Sequence, residues 1–358
     1  MVSAVPEPAP PPVVAKKPTP EIPGWAPPAA IDTVVQLNGQ PYGLRLEAET
    51  DSSRRLSATY EETPGHSRRV HGFEGRYTLT LRDPAGRQVF RRQLRKAAFF
   101  KKAGTDIVTE SEAYLPQLLG YSRPLGALVF TVDFMVPDSD VGAQVVLLLD
   151  MAGNVLRLSE GHGPIGPECE PALSGDGRAL LTPSEVLRAG RPPLRLERPD
   201  AELVGASFLS DTTLLVVYAP GRIRALRLTD GLESYGRNPT PQQLRAPNAL
   251  VRNVRTGRVL RRFRYQGYYE EMGYTIPGYQ LRATATYYLL DEKRGLHLLP
   301  LVGTGVPVEL RFAAMPPFTP PKRLVEARFE LHGAEKSFAF YVDTVSVRPQ
   351  IRCERIEE

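Results

Sequence analysis

Three features of this chain predict an all-β fold. Strand-forming residues run into a tight polar turn and out again four times, at residues 79–94, 146–158, 249–264 and 287–301. Each turn holds an Asp or Asn and a Gly, the punctuation of a β-hairpin. Proline (35) and glycine (30) are both abundant, and proline breaks helices, which favours short strands joined by loops. Apolar and polar residues also alternate with a period of two in several stretches, as on a strand with one wet face. Two architectures fit: an antiparallel β-sandwich, or an irregular meander of propeller-like sheets.

Residues 1–30 carry ten prolines. This composition predicts a disordered, extended tether without a core. Residues 31–140 read as a sandwich-like β region. Asn38-Gly39 turns one strand into another in which Leu44, Leu46 and Ala48 alternate with Arg45 and Glu47. The run GALVFTVDFM at residues 126–135 is strongly apolar and predicts a central strand. Residues 97–119 are the best helix candidate, cut by Pro116.

Residues 141–358 read as a β-meander or propeller-like region, and its final strands could close onto the first region. The phrases SGDGRALLT, FLSDTTLLVVYAPGRIRALRL and VRNVRTGRVLRRF resemble strands of WD40-like β-propeller blades, over residues 142–265. That resemblance implies four-stranded blades arranged in series. The Trp-Asp and Gly-His signatures of that family are absent, and Gly86, Gly153, Gly257 and Gly295 are unevenly spaced.

The formal net charge of +5 is mild for 358 residues and disfavours a nucleic-acid binder, although the basic stretch at 87–102 keeps that alternative open. The two cysteines, Cys169 and Cys353, lack metal-ligand spacing. No apolar run is long enough to span a membrane. Templates for catalysis, metals and cofactors are missing, so no catalytic residue, metal or cofactor is expected. The loop from Gly161 to Glu170 places His162, Glu168 and Cys169 on a Gly/Pro frame, residue types that can bind a metal or act as nucleophile and base.

The stretch LRRFRYQGYYEEMGYTIPGY at residues 260–279 is the candidate binding surface. Its candidate residues are Arg261, Arg264, Tyr265, Tyr268, Tyr269, Glu270, Glu271 and Tyr274. Tyrosine brings rigid apolar area with a hydroxyl, and arginine a planar fork of donors. Adjacent Glu270 and Glu271 would point to opposite faces of a strand, a poor acid–base pair.

The expectation is a non-enzymatic, extracytoplasmic binding or structural protein. It would be held by its proline-rich tether, with a membrane anchor through a missing N-terminus, and would recognise a protein or glycan. The alternatives are a hydrolase acting on polysaccharide or peptide, through Glu270 and Glu271 or the His162–Cys169 loop, and a basic nucleic-acid binder.

Overall fold

The structure, a computed structural model, describes residues 26–63, 66–161, 168–221, 224–227, 233–236, 239–270, 273–301, 307–346 and 350–356. Most of the proline-rich tether, residues 1–25, lies outside these. Among the described residues, strands make up 59% and helices 9%, in several small antiparallel sheets with none closed into a barrel, so the predicted all-β class holds.

The first sheet holds β1 (Ala29–Leu37), β2 (Gln40–Thr63), β3 (His66–Arg82) and β4 (Gln88–Arg95). Two short helices follow, α1 (Phe100–Ala103) and α2 (Thr105–Glu110). The second sheet holds β5 (Gln117–Ser122), β6 (Ala127–Met135), β7 (Gly142–Leu149) and β8 (Val155–Glu160). The third holds β9 (Ala172–Leu173), β10 (Ala179–Leu181), β11 (Glu185–Arg188) and β12 (Arg191–Arg195).

The chain then runs through β13 (Ala201–Ser210), β14 (Thr213–Pro220), β15 (Arg224–Arg227), β16 (Glu233–Gly236), α3 (Pro241–Arg245), β17 (Ala249–Asn253) and β18 (Val259–Phe263). Of these, β13, β14, β17 and β18 form the fourth sheet, while β15 and β16 pair as a separate ribbon. A second ribbon pairs β19 (Tyr268–Glu270) with β20 (Gly273–Thr275). The fifth sheet holds β21 (Gly278–Leu281), β22 (Thr286–Asp291), β23 (Gly295–Pro300) and β24 (Val308–Arg311). The sixth holds β25 (Glu326–His332), β26 (Ser337–Asp343) and β27 (Ile351–Ile356).

The four anticipated hairpins are the pairs β3–β4, β7–β8, β17–β18 and β22–β23. Their turns are closed by side-chain chemistry. Asp83 Oδ1 accepts from the N–H groups of Ala85 and Arg87, both at 2.9 Å. Asp150 Oδ1 accepts from Ala152 and Asn154, both at 2.8 Å. Gly86 and Gly153 follow at φ +81° and +80°, a left-handed conformation that costs other residues roughly 1–2 kcal/mol. An acceptor at the turn start and a glycine at its end are therefore required together.

Consecutive sheets pack face to face. In β6, Leu128, Phe130, Val132 and Phe134 join a core with Leu79, Leu81 and Phe90 of the first sheet. Their neighbours Ala127 and Val129 join Leu180 and Leu187 of the third. The second sheet is thus covered on both faces, which explains why most positions of the run at 126–135 are apolar. The same division recurs further on. Leu214, Val216 and Tyr218 of β14 pack with Ala179 and Leu181, while Leu215 and Val217 pack with Leu289 and Leu299 of the fifth sheet. Tyr288 and Leu290 then meet Phe329, Phe338 and Phe340 of the sixth. The boundary expected near residue 140 falls inside the second sheet, at the turn between its paired strands β6 and β7.

Burial contributes roughly 1.5–3 kcal/mol per large apolar side chain. Exposed ion pairs such as Arg45–Asp32, on the outer face of the first sheet, contribute about 0–1 kcal/mol each. The interleaved cores therefore carry this fold. Between the first and second sheets, helix is limited to a single-turn 3-10 segment at Lys96–Phe99 and to α1 and α2. Gly104, at φ +86°, separates α1 from α2, and Ser111 is already extended. The helix expected over residues 97–119 is correspondingly shorter. His66 and His71 lie on β3, whose pairing with β2 runs on beyond the ends of β1 and β4.

Candidate functional site

A cleft of about 840 Å³ opens where the first two sheets part. Ligand pockets span roughly 300–1,000 Å³ and are mostly apolar with a few convergent polar groups. One wall is the inner face of β1, where alternation places Ala29, Ile31 and Thr33 in line with buried Val35 and Leu37. The second sheet covers Val35 and Leu37, but leaves Ile31 half exposed. Leu46 of β2 forms the buried floor. The opposite wall is the segment from Glu112 to Leu118, with Asp133 and Met135 from the end of β6.

The ladder explains why the cleft stays open. Strand β6 pairs with β7 as far as Met135, but β5 reaches only Thr131. The stretch from Val132 to Met135 is thus paired on one side. The chain that would extend β5 is instead Ala113-Tyr114-Leu115-Pro116, and Pro116 has no N–H to donate to a ladder. Backbone N–H groups of Glu112 to Leu115 donate to no other described residue.

Glu112 and Asp133 are the charged groups of the lining, and no Lys, Arg or His joins them. Asp133 is oriented by two amides: Gln144 Nε2 donates to Oδ1 at 2.7 Å, and Gln117 Nε2 to Oδ2 at 3.4 Å. These neutral donors hold the carboxylate in place without cancelling its charge. Burial, together with the neighbouring Glu112, pushes the Tyr114 phenol above its ordinary pKa. The phenol therefore stays protonated and can donate.

The Tyr/Arg stretch takes a different form. Tyr265 lies in the core, 3% exposed, and its hydroxyl donates to Leu290 O at 3.0 Å. Its ring meets His297 edge-on at 6.0 Å, and Phe263 lies 5.1 Å from the same imidazole. This tyrosine fastens the fourth sheet to the fifth, because the chain leaving β18 crosses directly over the fifth sheet. Arg261 is half-buried and donates from Nη1 to Leu260 O at 2.8 Å, while Arg264 is exposed. Tyr268, Tyr269, Glu270 and Tyr274 lie on the β19–β20 ribbon, where Tyr269 is registered with Tyr274. Glu271 lies outside the described residues.

Residues 162–167 of the Gly/Pro loop, His162 included, also lie outside the described residues. Glu168 has a structural part: its Oε2 accepts from the N–H of Ile276 at 2.6 Å. Cys169 and Cys353 are both free thiols, and burial pushes each up to about 12, which leaves them protonated and unreactive at neutral pH. Among the described residues no three His, Cys, Asp or Glu side chains gather in a way that could hold a metal ion. No described helix is long and apolar enough to cross a membrane.

Sequence reasoning did not find the cleft, because its walls come from segments far apart in the chain. One signal was present: Asp133 interrupts an otherwise apolar strand, and an acid there marks a place where that strand meets water or a ligand. The comparison with protein-family models finds no match to this chain, and the comparison with curated proteins finds none either.

Proposed function

We propose that this is a non-catalytic binding protein whose ligand seat is the cleft between the first two sheets. The observation that carries the reading is the cleft itself, about 840 Å³ with an apolar floor and two carboxylates. A rigid frame supports it, since both flanking sheets share one continuous core. Preorganised apolar walls bind without the ordering cost that a flexible surface incurs.

Nile red, a neutral apolar dye, tests the reading. The wild-type protein is expected to bind it saturably, with a rise in fluorescence. Ile31→Arg, at a half-exposed position, is expected to weaken binding by about tenfold or more, roughly 1.4 kcal/mol, with the thermal midpoint unchanged. Absence of saturable binding, or equal binding by the variant, overturns the proposal.

The reading also keeps the extracytoplasmic location expected from the ten prolines among residues 1–30, with the folded sheets presented on a tether. Fractionation of the source cells tests it, and recovery of the protein in the cytosolic fraction would refute that part.

A further inference from the structure

We infer that the cleft takes an extended, basic peptide segment, added as a strand along the free edge of β1. The inference rests on the cleft being the ligand seat, and goes further by naming what fills it.

Backbone supply is the first argument. Strand β1 is the edge of its sheet, nine residues long and, among the described residues, paired with β2 alone. Such an edge presents a row of unused N–H and C=O groups, which an incoming strand can satisfy. The end of β6 and the segment from Glu112 to Leu115 bring further unused backbone groups to the same opening. An acyl chain could satisfy none of them, whereas a peptide can.

Side-chain period is the second argument. A strand added to β1 would direct alternate side chains toward Leu46 and Met135, and the others outward. Ile31 already marks the apolar row that those side chains would continue, since it is half exposed on the face that buries Val35 and Leu37.

Charge is the third. The chain as a whole carries +5, yet the charged lining of the cleft is Glu112 and Asp133. This local reversal of sign selects a lysine- or arginine-bearing segment and repels an acidic one.

The test uses the full chain and a fluorescein-labelled, acetylated hexapeptide of alternating valine and lysine, followed by anisotropy. Saturable binding is expected, and the valine–glutamate counterpart should bind about tenfold more weakly or worse. The conservative double variant Glu112→Gln/Asp133→Asn should lose about tenfold in affinity for the lysine peptide and lose the discrimination against the glutamate peptide. N-methylation of the valines should abolish binding, and hydrogen exchange along β1 should slow when the peptide is bound.

Equal binding of the glutamate or N-methylated peptide overturns the inference. A fatty acid that displaces Nile red while no peptide binds also overturns it, in favour of an acyl ligand. Protection of β1 by self-association, without peptide, overturns it in favour of a second copy of the chain. In these cases the cleft survives as a ligand seat if Nile red binds, whereas loss of dye and peptide binding together removes both readings.

Discussion

Lys96→Ala is expected to destabilise the protein by about 3 kcal/mol, through lost hydrogen bonds and a cavity. Lys96 is fully buried, and its Nζ donates to Phe73 O at 2.9 Å and Ser111 O at 2.6 Å, with a longer contact to Thr109 O at 3.5 Å. Its stem lies over Gly75, where a Cβ would come within 2.6 Å of Cδ. The ammonium thus ties β3 to the end of α2. Lys96→Met keeps the stem and separates packing from hydrogen bonding. It should cost less than the alanine variant, by urea denaturation at pH 7. Equal costs would mean that the stem contributes nothing.

The same residue predicts a pH effect. Burial pushes the Lys96 pKa down to about 8, against the upward pull of Glu74 and Glu112. In the unfolded chain the group titrates near its ordinary 10.5. Between these values the unfolded state holds the proton and the folded state does not, so stability rises with pH through that window. The advantage of wild type over Lys96→Met should therefore widen between pH 8 and 10.5, by up to about 3 kcal/mol. A constant difference across that range would show that the ammonium is not held at a cost.

Arg352→Met should cost about 3 kcal/mol, because it leaves a buried carboxylate without its counter-charge. Arg352 makes a two-pronged contact with Glu326: Nε to Oε1 at 2.8 Å and Nη2 to Oε2 at 2.5 Å. Its Nη1 donates to Thr319 O at 2.8 Å, and its guanidinium lies 4.8 Å from the Phe318 ring centre. Phe318 in turn stacks on Tyr341 at 3.8 Å. One guanidinium thus pins the proline-rich connector before β25 onto the sixth sheet. The hydrogen-bonded Arg352 holds the Glu326 carboxyl below its usual range. That contribution is present above the ordinary carboxylate pKa and is lost as pH falls through the depressed one. The double variant Arg352→Met/Glu326→Leu should recover most of the loss, because it removes both desolvated charges. If each single variant costs less than about 0.5 kcal/mol, the pair behaves as a surface ion pair and the argument fails.

Much of the fold was legible from the sequence because a hairpin is a local object. Asp83 with Gly86, and Asp150 with Gly153, set turn geometry within four residues, and period-two alternation then follows along each strand. The run at 126–135 was legible as central for a related reason, since a strand covered on both faces has no polar side to show. The binding site was less legible. Tyr265 looked like a surface group by type and company, but its position depends on where the chain leaving β18 meets the fifth sheet. Arg264, from the same stretch, is exposed, and no local signal separates the two.

Lys96 is a similar case within the basic stretch at 87–102. Its neighbours Arg91 and Arg95 are exposed, whereas Lys96 is buried among carbonyls from β3 and α2. The sequence by itself determined the class, the strand–turn–strand units and the residues that close each turn, because backbone dihedrals and nearest-neighbour hydrogen bonds set these within a few positions. The tertiary structure alone decided which sheet faces which, where Lys96 and Tyr265 come to rest, and that β1, β2, β6 and the segment after α2 enclose an acidic, apolar cleft. Burial and electrostatic environment are sums over neighbours distant in the chain, and they exist only once the sheets have packed.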